Sequence, residues 1–102
     1  MSNNKMLPAL PPAELERIAA RFKVLGEPMR LKILQAVCKS PRTVTDIVAA
    51  TGATQANVSK HLALLAAAGI LQREKDGQCV YYGIKDRLAV KMCELVRAQV
   101  VG

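Results

Sequence analysis

The chain has 102 residues, 51% hydrophobic and 3% aromatic, with a net charge of +7 from 15 basic and 8 acidic side chains. That length supports one domain with a modest core. No run reaches the ~18 apolar residues of a membrane span, and Met1 to Pro12 lacks the basic start and apolar core of a signal peptide, so a cytoplasmic protein is expected.

In chain order, residues 1–11 (MSNNKMLPALP) are polar and then Pro-rich, and read as a loose N-terminal arm. Residues 12–102 read as a single domain. Pro12 suits the first position of a helix, and Leu15, Ile18, Phe22 and Leu25 recur at helical spacing until Gly26. Pro28 opens a second helix over Met29–Cys38, with Leu31, Leu34 and Cys38 on one face, and Ser40-Pro41 breaks it. A short third helix spans Val44–Thr51, with Ile47 and Val48 inward and Gly52 at its end. Thr54 is a natural N-cap for a fourth helix closed by Gly69. Ile70-Leu71 leads a strand to Lys75, Asp76-Gly77 signals a hairpin turn, and Cys79–Ile84 returns. A fifth helix runs from Asp86 to Val100. This mainly α order with one small β-hairpin (α-α-α-α-β-β-α) describes a winged helix-turn-helix.

The fourth helix has an unusual outer face. With Val58 at zero on a helical wheel, Leu62 and Leu65 fall within about 40° of it and form the core stripe. Ala56, Ser59, Lys60, Ala63 and Ala67 lie opposite, and Gln55 and Asn57 flank the first turn. No carboxylate occurs from Thr54 to Gln72. A slim helix enters a major groove, short polar side chains hydrogen-bond base edges or phosphates, and Lys60 pairs with phosphate. The helix N-terminus at Thr54 offers its positive dipole end to a phosphate. The bland reading is an Ala-rich surface helix. The preceding turn, the following hairpin and a positive excess spread over both halves of the chain favour nucleic acid as partner. His61 sits beside the core stripe and reads as packed and hydrogen-bonded. In the hairpin, Arg73, Lys75 and Gln78 are candidate wing contacts, although basic hairpins are also ordinary surface.

The segments LGEPMRLKILQAV, TVTDIVAATGATQANVSKHLALLAAAGIL and REKDGQCVYYGI together resemble the arsenic-repressor (ArsR/SmtB) family of bacterial transcriptional regulators. The likeness covers roughly Phe22 to Val96. It implies a homodimeric winged-helix repressor that binds an inverted-repeat operator through residues 54–68 and the wing at 72–84, and leaves it when an inducer binds. By matching position it places Val44, Gln55, Ala56, Ser59 and Lys60 at the DNA. A winged-helix protein-interaction module that never meets DNA is the alternative. Ser/His/Asp, paired-carboxylate and phosphate-loop patterns are absent, and a single histidine leaves little for general base work, so no enzyme and no cofactor are expected.

The family's sensing sites transfer poorly. Relatives with a metal site at the third helix carry Cys-x-Cys-Asp, where this chain has Thr43-Val44-Thr45-Asp46; threonines are no soft-metal ligands. Asp86 stands where other relatives place an acidic zinc ligand, but Leu88 and Gln99 replace the histidines. No metal site of these kinds is expected. Cys38 and Cys93 lie in the two helices that hold redox or persulfide-sensing thiols in some relatives, but in a different register. They are the candidate sensing pair, against an inert-thiol reading. A metalloid thiolate site would need Cys38, Cys79 and Cys93 together.

In the last helix Lys91, Glu94 and Arg97 form one narrow polar stripe, and almost everything around it is apolar. One apolar face suffices for a helix packed on one side. A second partner surface is therefore expected, built from Leu88, Met92, Leu95 and Val96 with Leu15, Ile18 and Phe22 of the first helix, across a two-fold axis.

Overall fold

The computed structural model describes residues 7–101. Of the arm expected over residues 1–11, residues 1–6 lie outside that range, and 7–11 carry no helix or strand. Eight elements follow: α1 Pro12–Leu25, α2 Pro28–Val37, β1 Arg42–Thr43, α3 Val44–Thr51, α4 Gln55–Ala67, β2 Leu71–Asp76, β3 Cys79–Ile84 and α5 Arg87–Val100. The architecture is a winged helix-turn-helix.

Local chemistry places most boundaries. Pro12 and Pro28 open α1 and α2, where a missing N–H costs nothing. Thr43, Thr54 and Asp86 cap α3, α4 and α5 by accepting backbone N–H groups of Asp46, Asn57 and Leu88. These bonds satisfy donors that the first turn leaves orphaned. Gly52 ends α3 at φ 74°, a left-handed conformation that costs a residue with a Cβ about 1–2 kcal/mol.

The core is one cluster drawn from α2, α3, α4, β2 and the ends of α1 and α5. Ile33, Val37, Ile47, Val58, Leu62, Leu65, Ile70 and Leu71 are fully buried within it. The inward face of α2 differs from the expected Leu31/Leu34/Cys38 stripe. Ile33, Leu34 and Val37 are buried, Leu31 is exposed, and Cys38 lies past the helix as its C-cap. The reason is that α2 packs against α3, α4 and β3 together, so neighbours on several sides select its inner residues.

The sheet also differs from a two-stranded hairpin. β1 pairs antiparallel with β3, giving the order β1-β3-β2. The segment can dock because Gly83 has no side chain: a Cβ there would sit 3.1 Å from Cγ of Pro41. The hairpin turn falls one residue later than expected. Asp76 pairs with Cys79, so Gly77 and Gln78 form the two-residue loop, and Gly77 takes the positive φ of 64°. Among the described residues, no helix is long and apolar enough to cross a membrane.

Candidate nucleic-acid interface

The turn between α3 and α4 is held by short-range bonds. The Gly52 N–H donates to Val48 O at 2.9 Å, the Thr51 hydroxyl to Ile47 O at 2.8 Å, and the Ala53 N–H to Thr51 Oγ1 at 3.4 Å. At the next residue α4 has its N-cap, with the Asn57 N–H donating to Thr54 Oγ1 at 3.1 Å. This rigid turn fixes the angle at which α4 leaves α3.

Helix α4 is two-sided. Val58, His61, Leu62 and Leu65 are buried, while Gln55, Ala56, Asn57, Ser59, Lys60, Ala63, Leu64 and Ala67 are exposed. The exposed set is the expected outer face, with Leu64 added at its edge. Thr54 Oγ1 accepts the cap bond, and its O–H remains a donor beside the helix end. Val44, expected at the same surface, is half-buried and packs against the core at the start of α3.

His61 is 8% exposed and bonded, as its position beside the core stripe suggested. Its Nδ1 accepts from Arg30 Nε at 3.2 Å, and its Nε2 lies 3.7 Å from Glu27 Oε2. Glu27 in turn accepts the Arg30 N–H at 3.1 Å. Backbone N–H groups at Met29 and Arg30, aided by the Arg30 charge, hold the Glu27 carboxyl below its ordinary value against a smaller desolvation effect.

The strand register sorts the wing's charges by face. Arg42, Tyr82 and Arg73 are directly paired across the three strands, and paired residues share a face. Two positions along, Lys75 opposite Val80 continues that face. It is also the face on which Leu71 is buried and Tyr82 and Ile84 pack against the core. Thr43, Tyr81, Glu74, Asp76 and Cys79 occupy the other face. All the wing's cations therefore lie on the side facing the helices, and its carboxylates point away. Gln78 is in the tip loop. Arg42 was not singled out from sequence, because β1 alone brings it into the row with Arg73.

A second surface lies on α1 and α5. Leu15, Ile18 and Phe22 on one helix and Leu88, Leu95 and Val96 on the other are all exposed large apolar side chains. Met92 is half-buried between them. The polar stripe of α5 is present, with Lys91 Nζ 3.8 Å from Glu94 Oε2. An apolar cavity of about 420 Å³ sits beside this surface, bounded by Phe22, Leu31, Met92, Cys93 and Val100. Burial pushes the Cys93 thiol above its ordinary value. Cys38 does not line this cavity: its Sγ donates to Gln35 O at 3.3 Å and its carbonyl accepts from Arg87 Nη1 at 3.0 Å. Cys79 is exposed on the wing. Among the described residues, no group of three or more His, Cys, Asp and Glu side chains could hold a metal ion.

Comparison with known proteins agrees with this geometry. Residues 27–73, from the N-cap of α2 into β2, match the family model described as bacterial regulatory protein, arsR family. A probable mercury resistance operon repressor of Streptomyces lividans is 33% identical over 76 residues, covering 74% of this chain and 61% of that protein. The crystal structure of the AntR antimony-specific transcriptional repressor superposes with a TM-score of 0.80 at 32% identity, covering 96% of this chain and 87% of the other. The homodimeric winged helix-turn-helix DNA-binding domain Mb0332 of Mycobacterium bovis, a possible ArsR-family regulator, superposes with a TM-score of 0.76 at 27% identity over 91% and 88% of the two chains. The chain spans about three fifths of the length of the first curated relatives it matches.

Proposed function

Because the chain belongs to the arsR family of bacterial regulatory proteins, we propose that it is a cytoplasmic, homodimeric transcriptional repressor, not an enzyme. It binds an inverted-repeat operator and is released by an inducer. Residues 12–102 form its DNA-binding and dimerisation domain. The observation that carries this reading is the outer face of α4. Its exposed residues are small, polar or cationic apart from Leu64 at the edge, and no carboxylate repels phosphate there. Gln55, Asn57 and Ser59 read base edges or hydrogen-bond phosphates, Lys60 pairs with phosphate, and Ala56 lets the backbone approach. Val44 supports the contact from the start of α3. Arg42, Arg73 and Lys75 neutralise phosphates from the near face of the wing, and Gln78 extends the contact at its tip.

The dimer follows from α1 and α5. Every residue of α1 from Pro12 to Ala20 is exposed in the single chain, although Leu15 and Ile18 lie among them. An apolar surface of this extent marks an interaction site. With a two-fold axis there, two α4 helices reach successive major grooves about 34 Å apart. Cys38 and Cys93 are the candidate sensing thiols, and Cys79 joins them only in a metalloid thiolate site.

A gel shift on the DNA upstream of the protein's own gene, repeated at rising salt, tests the proposal. Binding that is tight, sequence-specific and salt-sensitive is expected. Equal, weak retention of all sequences, with a protein partner bound instead, would favour the protein-interaction reading.

A further inference from the structure

Helix α1 is held to its own chain in an unusual way. Leu25 is its only buried residue, so apolar packing anchors the C-terminal end and leaves the angle of the rest weakly determined. Two arginines supply direction. Arg21, on α1, donates through Nη1 to the Ala68 carbonyl at 3.1 Å, and the same Nη1 is 3.5 Å from Asp86 Oδ2. Ala68 is the C-cap of α4, where a helix end presents unsatisfied carbonyls and attracts cations. Asp86 is the N-cap of α5 and uses its other oxygen, Oδ1, to accept the Leu88 N–H at 3.0 Å. One guanidinium thus joins α1, the end of α4 and the start of α5.

The second bridge comes from Arg30 of α2. Its Nη1 donates to Val24 O in the last turn of α1 at 3.1 Å, while its Nε holds His61 in the middle of α4. A guanidinium is planar and its donors are fixed in a fork. Arg30 engages two donors of that fork, Nε and Nη1, on different helices and so constrains orientation as well as distance, whereas Arg21 ties its two partners together through Nη1 alone.

We propose that Arg21 and Arg30 are positioning residues that couple the α1/α5 dimer surface to α4, and so set the separation and relative angle of the two recognition helices in the dimer. This rests on the DNA-binding reading above. Neither residue needs to touch DNA. A signal that shifts α1 or α5 at the dimer surface would reach α4 through these bonds.

The test uses an inverted repeat selected by the parent protein from random DNA, together with versions whose spacer is longer or shorter by two base pairs. That change rotates one half-site against the other by about 70°. Arg21→Ala and Arg30→Met are expected to stay dimeric and to keep half-site affinity within about twofold, while preference for the selected spacing falls about tenfold. Arg21→Lys retains a cation near Asp86 but, with a shorter side chain, places its donor away from the Nη1 position that meets both Ala68 O and Asp86, and is expected to fall between. Lys91→Ala, which removes only an exposed helix pair, should match the parent. A DNA-free readout separates failure of this idea from failure of the DNA-binding reading. Spin labels at Ser59→Cys, with the three native cysteines changed to serine, report the distance between the two α4 helices of a dimer. Arg21→Ala should broaden that distribution. Unchanged width and unchanged spacing preference would overturn the coupling. Equal losses on half-sites and full sites, or a monomeric Arg21→Ala or Arg21→Lys, would also overturn it, because the arginines would then only stabilise the fold or the dimer.

Discussion

Replacing Leu95 by glutamate tests the dimer surface with a quantity that can be worked from the structure. The Leu95 side chain is 60% exposed in the single chain. Full burial of a leucine stabilises by about 1.5–3 kcal/mol, so covering the exposed part contributes about 1–2 kcal/mol. A two-fold axis counts the residue twice, giving about 2–4 kcal/mol, or ~30- to 1000-fold in the dimer dissociation constant. The new carboxylate adds to this by placing a charge in an apolar interface. The fold should survive, because Leu95 lies outside the buried core. Sedimentation at micromolar concentration is expected to give a parent dimer and a Leu95→Glu monomer with unchanged far-UV circular dichroism. Operator binding should be lost with the dimer, and Val96→Glu, 57% exposed, should behave alike. A Leu95→Glu protein with the parent's dissociation constant would refute the surface assignment. So would a stable parent monomer that binds a full palindrome tightly.

Five further outcomes are expected. Lys60→Ala and Arg42→Ala should each weaken binding to all DNA sequences and lower the salt slope by about 0.9, whereas Gln55→Ala and Ser59→Ala should relax preference at single operator positions by ~1–3 kcal/mol in competition gel shifts. Gly52→Ala should cost about 1–2 kcal/mol in urea unfolding, purely from the backbone, since a Cβ there would meet nothing within 4 Å. Because the folded state depresses the Glu27 carboxyl below its ordinary 4.5, its stabilisation is fully present above pH 4.5 and is lost as pH falls through the lower folded value; the stability gap between parent and Glu27→Gln should close over that acid range. Burial raises the Cys93 thiol above its ordinary 9.0, so at neutral pH a maleimide should label exposed Cys79 before Cys93. If thiols do sense, Cys38→Ser and Cys93→Ser should each abolish release by oxidant or persulfide, while Cys79→Ser keeps it.

Much of the candidate DNA-reading element was legible in sequence because its determinants are local. Thr54 caps the turn that follows it, Gly52 takes a conformation other residues resist, and the spacing of Val58, Leu62 and Leu65 fixes which side of α4 turns inward. The same periodicity exposed the surplus apolar residues of α5, since a helix needs only one packed face. Local patterning failed where several elements compete for one segment. The inner face of α2 moved to Ile33, Leu34 and Val37 because neighbours pack it on more than one side. β1 has two residues and no propensity signal; it exists because Pro41 finds room over Gly83, and only then does Arg42 join Arg73 in one basic row. The arginine bridges are likewise tertiary. Arg21 and Ala68 are 47 residues apart, and Arg30 and His61 are 31 apart. No periodicity links such positions: a hydrogen bond between them requires the packed helices to bring donor and acceptor within about 3 Å.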